Sequence, residues 1–277
     1  MSQSATSMPT LLNVLNMTFY IEAIKPAPIL AGRAAPQALY VNASTQTSNL
    51  TKNQNAQVFI QNIYEYIHHA RLSYFMPILF SGFSNMHSYA GWLADHDHSL
   101  PALSPTSVAI GLKPIDKAKV FLEQYLQAPI QVEISRVAHE PVSRQRIFEI
   151  GNLASGCAGT ARLMVAFLVF YLSTPVIDPV TQRTQSKADW VVCTGTNAVR
   201  HILVSMGISS HVVAKATADA LDNPEQISAW GSYYEHNPLV LAINVVEARA
   251  GCDSHYRYSE RLEKPMTITD PLHKILA

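Results

Sequence analysis

Glu149-Ile-Gly-Asn-Leu-Ala-Ser-Gly-Cys-Ala-Gly-Thr-Ala161 runs directly into Arg162-Leu-Met-Val-Ala-Phe-Leu-Val-Phe-Tyr-Leu172. The first part reads as a strand over about 146–153 that enters a glycine-bearing turn. The second reads as an apolar helix over about 158–172. A strand, a glycine turn and a helix N-terminus together expose backbone N–H groups and a partial positive charge, the arrangement that holds phosphate. The stretch therefore points to a protein that binds a phosphorylated carrier.

Downstream, Asp189-Trp-Val-Val-Cys-Thr194 is a short, nearly continuous apolar run, expected to be a strand buried on both faces. Asn197 to Met206 is predicted helical and stopped by Gly207. His211–Ala216 and Pro238–Glu247 read as further strands, with a loop over Pro175–Gln185. Residues after Gly251 are polar and read as a loosely held tail.

Upstream, Val58, Ile60, Ile63, Tyr64, Ile67 and Ala70 recur at three- and four-residue spacing, which predicts an amphipathic helix over 56–72. Phe75–Phe80 is a short apolar run. Ser88–Leu93 and Ser107–Leu112 read as two strands of a hairpin, and Ile115–Leu126 as a helix with Val120, Phe121 and Tyr125 on one face. Thr18–Ile24 reads as a strand, whereas Asn42–Asn55 has the composition of a linker. The chain thus divides into an extension (1–55), a domain (56–250) and a tail (251–277). Strands interleaved with helices predict an α/β or α+β layered domain with a mixed sheet. There is no internal repeat.

With 277 residues and 48% hydrophobic content the chain can bury a substantial core. Its formal net charge of zero argues against a nucleic-acid partner. No apolar run reaches the roughly 18–20 residues of a spanning helix, and the N-terminus lacks a basic and an apolar signal region. The three cysteines, Cys157, Cys193 and Cys252, have no metal-ligand spacing. Reduced thiols and a cytoplasmic location are the expectation.

Several ordered motifs resemble the bacterial thermostable hemolysin family. They are Tyr74-Phe-Met-Pro77, Gly111-Leu-Lys113, Phe121-Leu-Glu-Gln-Tyr-Leu126 and Ala128-Pro-Ile130, followed by Glu149–Ser155, Ala161-Arg-Leu163 and Trp190-Val-Val192. Trp230-Gly-Ser-Tyr-Tyr234 ahead of Asn237-Pro238 completes the set, which spans about 60–246. That family is related in fold to the GNAT acyltransferases, whose order of hairpin, helix, strand, glycine turn, helix and strand is the one read here. The resemblance implies a co-substrate, acyl-CoA or an acyl-carrier-protein phosphopantetheine, whose pyrophosphate or phosphate sits on the glycine turn. GNAT enzymes usually carry Gln/Arg-x-x-Gly-x-Gly/Ala there. Here Gly156 and Gly159 are the matching glycines of Ala154-Ser-Gly-Cys-Ala-Gly-Thr160, which leaves coenzyme A and carrier protein both open.

Ser155, Gly156, Cys157, Ala158, Gly159 and Thr160 are the candidate phosphate turn, with Arg162 one step into the helix; an ordinary strand-to-helix turn is the plainer reading. Glu149 is a candidate general base for an amine acceptor, or the partner of Arg144 or Arg146. Asn152 either orients a carbonyl or caps the turn. Thr194, Thr196 and Asn197 face the pantetheine arm if the resemblance holds, although Thr196 or Asn197 also suits a helix N-cap; Arg200 lies one turn on. Tyr233 or Tyr234 would protonate the leaving thiolate and His236 would act as a base, unless this aromatic segment is a plug over the core. Cys157 reads as a bystander thiol and Asp95-His-Asp-His98 as a solvated loop rather than a metal site, so no metal is expected. No Gly-x-Ser-x-Gly elbow is present.

The leading expectation is an acyltransferase that moves an acyl group from a thioester carrier to a small amine or amino acid, by direct transfer. A membrane-active hemolysin, resting on the family name and on the amphipathic helix at 56–72, and a non-catalytic carrier-binding domain are the alternatives.

Overall fold

The computed structural model describes residues 18–22, 38–45, 50–83, 106–116, 118–157, 159–177, 184–221, 223–260 and 268–269. In chain order its elements are β1 (Thr18–Glu22), β2 (Ala38–Thr45), α1 (Leu50–His68), β3 (Ile78–Phe83), β4 (Val108–Pro114), α2 (Ile130–Ala138), β5 (Ile147–Ser155) and α3 (Thr160–Ser173). There follow β6 (Val176–Ile177), β7 (Thr184–Gln185), β8 (Trp190–Gly195), α4 (Asn197–Ser205), β9 (His211–Lys215), α5 (Pro224–Ala229), β10 (Leu239–Asn244), α6 (Val245–Glu260) and β11 (Ile268–Thr269).

The main sheet has the order β11-β1-β2-β3-β4-β5-β8-β10-β9. Every neighbouring pair is antiparallel except β5 and β8, which run parallel. The expected layering, a mixed sheet flanked by helices, is what forms. α3 is the crossover between the parallel pair, as a parallel connection requires.

Alternation along the strands sorts the core into two faces. Phe80, Ile110, Phe148, Val191 and Ile243 point to one face, under α3, α4 and α6. There Phe80 packs edge-on against Phe167 and Tyr171, with ring centroids 5.2 and 5.5 Å away. The other face carries two separate clusters. One holds Ile147, Trp190, Val192 and Val240 under Ile130 and Ile134 of α2. The other holds Leu79, Ala109 and Ala154 under Phe59, Ile60 and Ile63 of α1. The residue of β5 between these clusters is Glu149.

Some expectations are corrected. β4 pairs with β3 on one edge and β5 on the other; the other half of the expected hairpin, 88–93, lies outside the described residues. Ile115–Leu126 is not an α-helix: only Phe121–Tyr125 forms a short 3-10 turn, because the Glu123 carboxylate accepts from the N–H of Val120 and of Ile130 and bends the chain. The helix lies at α2 instead. The supposed linker Asn42–Asn55 contains the end of β2 and the start of α1. The Pro175–Gln185 loop holds a two-stranded ribbon, β6 with β7. Phe59, Ile60 and Ile63 of α1 pack on the sheet, while Val58 and Ile67 of the same helix stay exposed. No helix among the described residues is long and apolar enough to cross a membrane.

Helix α6 runs through the boundary at residue 250, and it inserts Val245, Ala248 and Cys252 into the core. At Gly251 it touches the turn after α4: a Cβ on Gly251 would lie 2.0 Å from the Gly207 carbonyl oxygen. Gly207 itself has φ +70°, so this is backbone against backbone. In an open helix, Gly→Ala gains about 1 kcal/mol. Here Gly251→Ala is expected to lose about 1–3 kcal/mol through overpacking, read as a lowered urea midpoint. A raised midpoint would contradict this packing.

Candidate active site

β5 and β8 are in register from Ile147↔Trp190 to Ile150↔Cys193, and their pairing ends there. On its other edge β5 continues to pair with β4, but with a bulge: Gly151 faces Gly111 and Ala154 faces Ala109, so β5 spends one residue more than β4. Asn152 takes up the extra residue in the left-handed region, φ +52°, which asparagine tolerates better than most residues. Its Oδ1 accepts the Met76 N–H at 2.7 Å. Asn152 is therefore a bulge residue, not a cap of the turn. Bulges of this kind bend a strand and end pairing, and here β5 leaves β8 at that point.

Two cavities meet at the parting. The larger, about 370 Å³, is walled mostly by apolar side chains from both faces of the sheet. Ile63, Tyr64 and His68 of α1 line one end; Val165, Leu168, Ile202 and Ala248 line the other. The smaller, about 140 Å³, is the more polar of the two: Arg71, Tyr74, Tyr125, Glu149, Gln226 and Trp230 stand in its wall beside Leu72, Met76 and Phe121. Tyr64, Ile150, Gly151, Asn152, Thr194 and Tyr233 line both.

Glu149 is 4% exposed. Burial pushes its carboxyl up to about 7, against the pull of Lys113 and a Leu122 N–H and with a further push from Glu123. Lys113 is its cross-strand partner. The arginines suggested as its partners are engaged elsewhere: Arg144 Nη1 donates to Glu123 at 2.5 Å and Arg146 Nη2 to Asp189 at 2.6 Å. Burial would also raise the Glu123 carboxyl, but the bonds from Arg144, Ile130 and Val120 hold it down at about 2.

Tyr233 donates its hydroxyl to the Thr194 carbonyl at 3.0 Å, and burial, with Tyr64 and Cys193 nearby, holds it well above the usual phenol range. Tyr234 lines neither cavity; its hydroxyl is 2.7 Å from that of Tyr125, a wall residue of the smaller one. His236 stacks edge-on with His68 at 5.0 Å at the rim of the apolar cavity. Burial, and then His236, lowers His68 to about 4.

The turn before α3 is fastened from within. The Gly156 N–H donates to the Ser107 carbonyl at 2.9 Å, so it is not free for a ligand. The Ser155 and Thr160 hydroxyls both donate to the Cys157 carbonyl, at 3.0 and 2.8 Å. Of the glycine pair, Gly159 alone takes a positive φ, +84°, and as the N-cap of α3 it leaves the first turn without a side-chain cap. Ala158 lies outside the described residues. Ser155, Thr196 and Asn197 line the apolar cavity; Arg162 and Arg200 do not. Thr196 occupies the N-cap of α4 without a side-chain cap bond, and Asn197 accepts from Arg200 instead.

The three cysteines are buried and none is in a disulfide. The Asp95–His98 segment lies outside the described residues, and among those described no cluster of ligands suits a metal. Sequence reading missed Arg71, Tyr64, His68 and Tyr125 as wall residues. For Tyr64 and His68 the signal was present, since they lie four residues apart on the amphipathic face of α1.

These features describe a layered α+β protein with a cavity at the gap between two parallel strands. A sequence profile of the thermostable hemolysin family matches residues 46–249, and the chain belongs to that family. No curated protein matches it in sequence. Among solved structures it is similar to TofI in a ternary complex with an inhibitor and MTA, at 11% identity and TM-score 0.45, covering 78% of this chain and 96% of that one. It is also similar to FeeM, an N-acyl amino acid synthase from uncultured soil microbes, at 13% identity and TM-score 0.40 over 76% of this chain and 98% of that one. A third is MesI, a CoA-dependent acyl-homoserine lactone synthase, at 11% and 0.40 over 81% and 97%.

The raised carboxyl fixes the sign of a pH effect. A buried Glu with its pKa at about 7, against an ordinary value of 4.5, leaves the fold at full stability below about 4.5. Stability is then lost as pH rises through 7, by on the order of 3 kcal/mol. Glu149→Gln is expected to raise the urea midpoint at pH 8, with the gain shrinking towards pH 5. An equal gain at both pH values would contradict a titration in that window.

Proposed function

We propose that the protein is an acyltransferase that moves an acyl group from a thioester carrier, acyl-CoA or acyl-carrier protein, to a small amine. The observation that carries this reading is the junction itself. An apolar cavity lined from both faces of the sheet meets a smaller, more polar one at the parted ends of β5 and β8. An acyl chain suits the first and an amine acceptor the second. The parted strand edges offer peptide groups to the amides of a pantetheine arm, as sheet edges do to an added strand. The uncapped start of α3 at Gly159 is where a phosphate of the carrier would rest.

In this reading the amine nitrogen attacks the thioester carbon at the junction, forming C–N and then breaking C–S. Glu149, buried and titrating near 7, takes the proton that the amine must lose. Tyr233, protonated and next to Thr194, gives a proton to the departing thiolate. Asn152 acts through the backbone, by keeping β5 bent away from β8. Cys193 lines the apolar cavity but is held protonated by burial and by Glu149, up to about 12, which disfavours it as an acyl-carrying nucleophile. Cys157 likewise has no role in direct transfer. The membrane-active reading is the weaker one, because Phe59, Ile60 and Ile63 of α1 are used in packing on the sheet.

The test is mass spectrometry of small molecules from cells expressing the protein. An acylated amine is expected with wild type and is expected to fall about a hundredfold or more with Glu149→Gln, a variant expected to fold at least as stably. Ile202→Phe, which fills the apolar cavity, is expected to shorten the acyl chain of that product. No acylated product, or equal amounts from Glu149→Gln, would overturn the reading. Gly159→Val, strained at φ +84°, is expected to weaken carrier binding in a titration with acyl-CoA or acyl-carrier protein.

A further inference from the structure

The polar cavity holds one cation and one carboxylate in its wall, Arg71 and Glu149. They are built differently. Glu149 is buried. Arg71 has an exposed side chain, and among the described residues no carboxylate forms an ion pair with it. Its backbone, however, is pinned on both sides. Gln61 of α1 donates its Nε2–H to the Ala70 carbonyl at 3.0 Å and accepts the Leu72 N–H on its Oε1 at 2.8 Å. Between them the Arg71 N–H donates to the Ala229 carbonyl at 2.7 Å. Three hydrogen bonds thus fix the backbone around a residue that lies outside any helix or strand and lines the cavity. That arrangement spends order on the position of a side chain that packs against little.

We propose that Arg71 receives the carboxylate of the acceptor, and hence that the acceptor is an amino acid rather than a simple amine. Its amine faces Glu149, and its carboxylate lies on the guanidinium. This deepens the acyl-transfer reading and rests on it. A guanidinium fork matches a carboxylate with two parallel N–H···O bonds, which a point charge does not. The carrier's phosphate is the other anion in the proposed reaction, but no residue from Ser155 to Arg162 lines the polar cavity. The anion read by Arg71 therefore belongs to the acceptor side. Tyr74, Gln226 and Trp230 in the same wall are left to contact the acceptor side chain. Gln61 is a positioning residue: its side chain hydrogen-bonds to the backbone on either side of Arg71.

The experiment uses the full chain. Thiol release is measured with octanoyl- and palmitoyl-CoA and with the same chains on acyl-carrier protein. The acceptors are the twenty proteinogenic amino acids, each against the amine left by its decarboxylation. The same panel is examined for binding by saturation-transfer NMR. At least one amino acid is expected to be used tenfold or more better than its matched amine. Arg71→Met is expected to raise KM for that amino acid roughly tenfold to hundredfold, with kcat nearly kept and the preference over the amine erased. Arg71→Lys is expected to restore part of the loss.

Equal use of matched amines by wild type, or an unchanged preference in Arg71→Met, would overturn the proposal and leave acyl transfer standing. Amino-acid binding that is lost in Arg71→Met but accompanied by no turnover would uphold the carboxylate site and sink the transfer reading. Absence of both binding and turnover would overturn both.

Discussion

The structure depends on one break in a hydrogen-bond ladder. Two parallel strands that pair through Ile150 and Cys193 stop pairing one residue before the bulge at Asn152. Peptide groups left without partners are costly when buried, so a sheet opens in its middle only where something local makes the opening cheaper. Here it is the left-handed Asn152, held by the Met76 N–H, with Met76 seated over Gly111 and Gly151. A Cβ on either glycine would fall 2.5 Å from a Met76 side-chain atom. The absence of side chains at those two positions lets the segment before β3 lie on the sheet and reach Asn152.

The rest of the site follows from that opening. The core on the α1 and α2 face divides into two clusters, and the gap between them is where Glu149 stands. Glu123 and Glu149 lie close enough to influence each other, yet their environments drive them in opposite directions. Arg144 with two backbone N–H groups holds Glu123 ionised at about 2, while burial without an arginine lifts Glu149 to about 7. Two carboxylates driven apart in this way suit a division of labour, with Glu123 structural and Glu149 the proton acceptor of the proposed reaction. The Glu123 carboxylate keeps the 3-10 turn and the start of α2 in place, and Phe121 and Tyr125 of that turn wall the polar cavity.

Much of this was legible in the sequence because the signals were local. The strand, glycine turn and apolar helix of 146–172, the doubly buried strand at 190–194 and the helix stopped by Gly207 all form where periodicity and glycine place them. The failures have a common cause in tertiary contacts. Val120, Phe121 and Tyr125 have helical spacing, but the Glu123 side chain captures backbone N–H groups that an α-helix would use otherwise. Helix α6 hides in a polar segment because its buried stripe is narrow and made of small residues, Val245, Ala248 and Cys252. Gly156 has the composition of a phosphate turn, but Ser107, nearly fifty residues away in the chain, takes its N–H. Glu149 was visible as a candidate, but its isolation from Arg144 and Arg146 was not, since that depends on where Glu123 and Asp189 fall in space. Arg71 carried no signal: only the clamp by Gln61 and Ala229 distinguishes it from a solvated surface residue.

The most direct test of the account is a crystal structure of the protein with a non-hydrolysable thioether analogue of a long-chain acyl-CoA. The account predicts the pantetheine arm between the parted ends of β5 and β8, the acyl chain in the apolar cavity beside Val165 and Leu168, and the thioether sulfur at the junction near Thr194 and Tyr233. A chain bound anywhere else, or β5 and β8 still flanking an empty gap at saturating analogue, would contradict it.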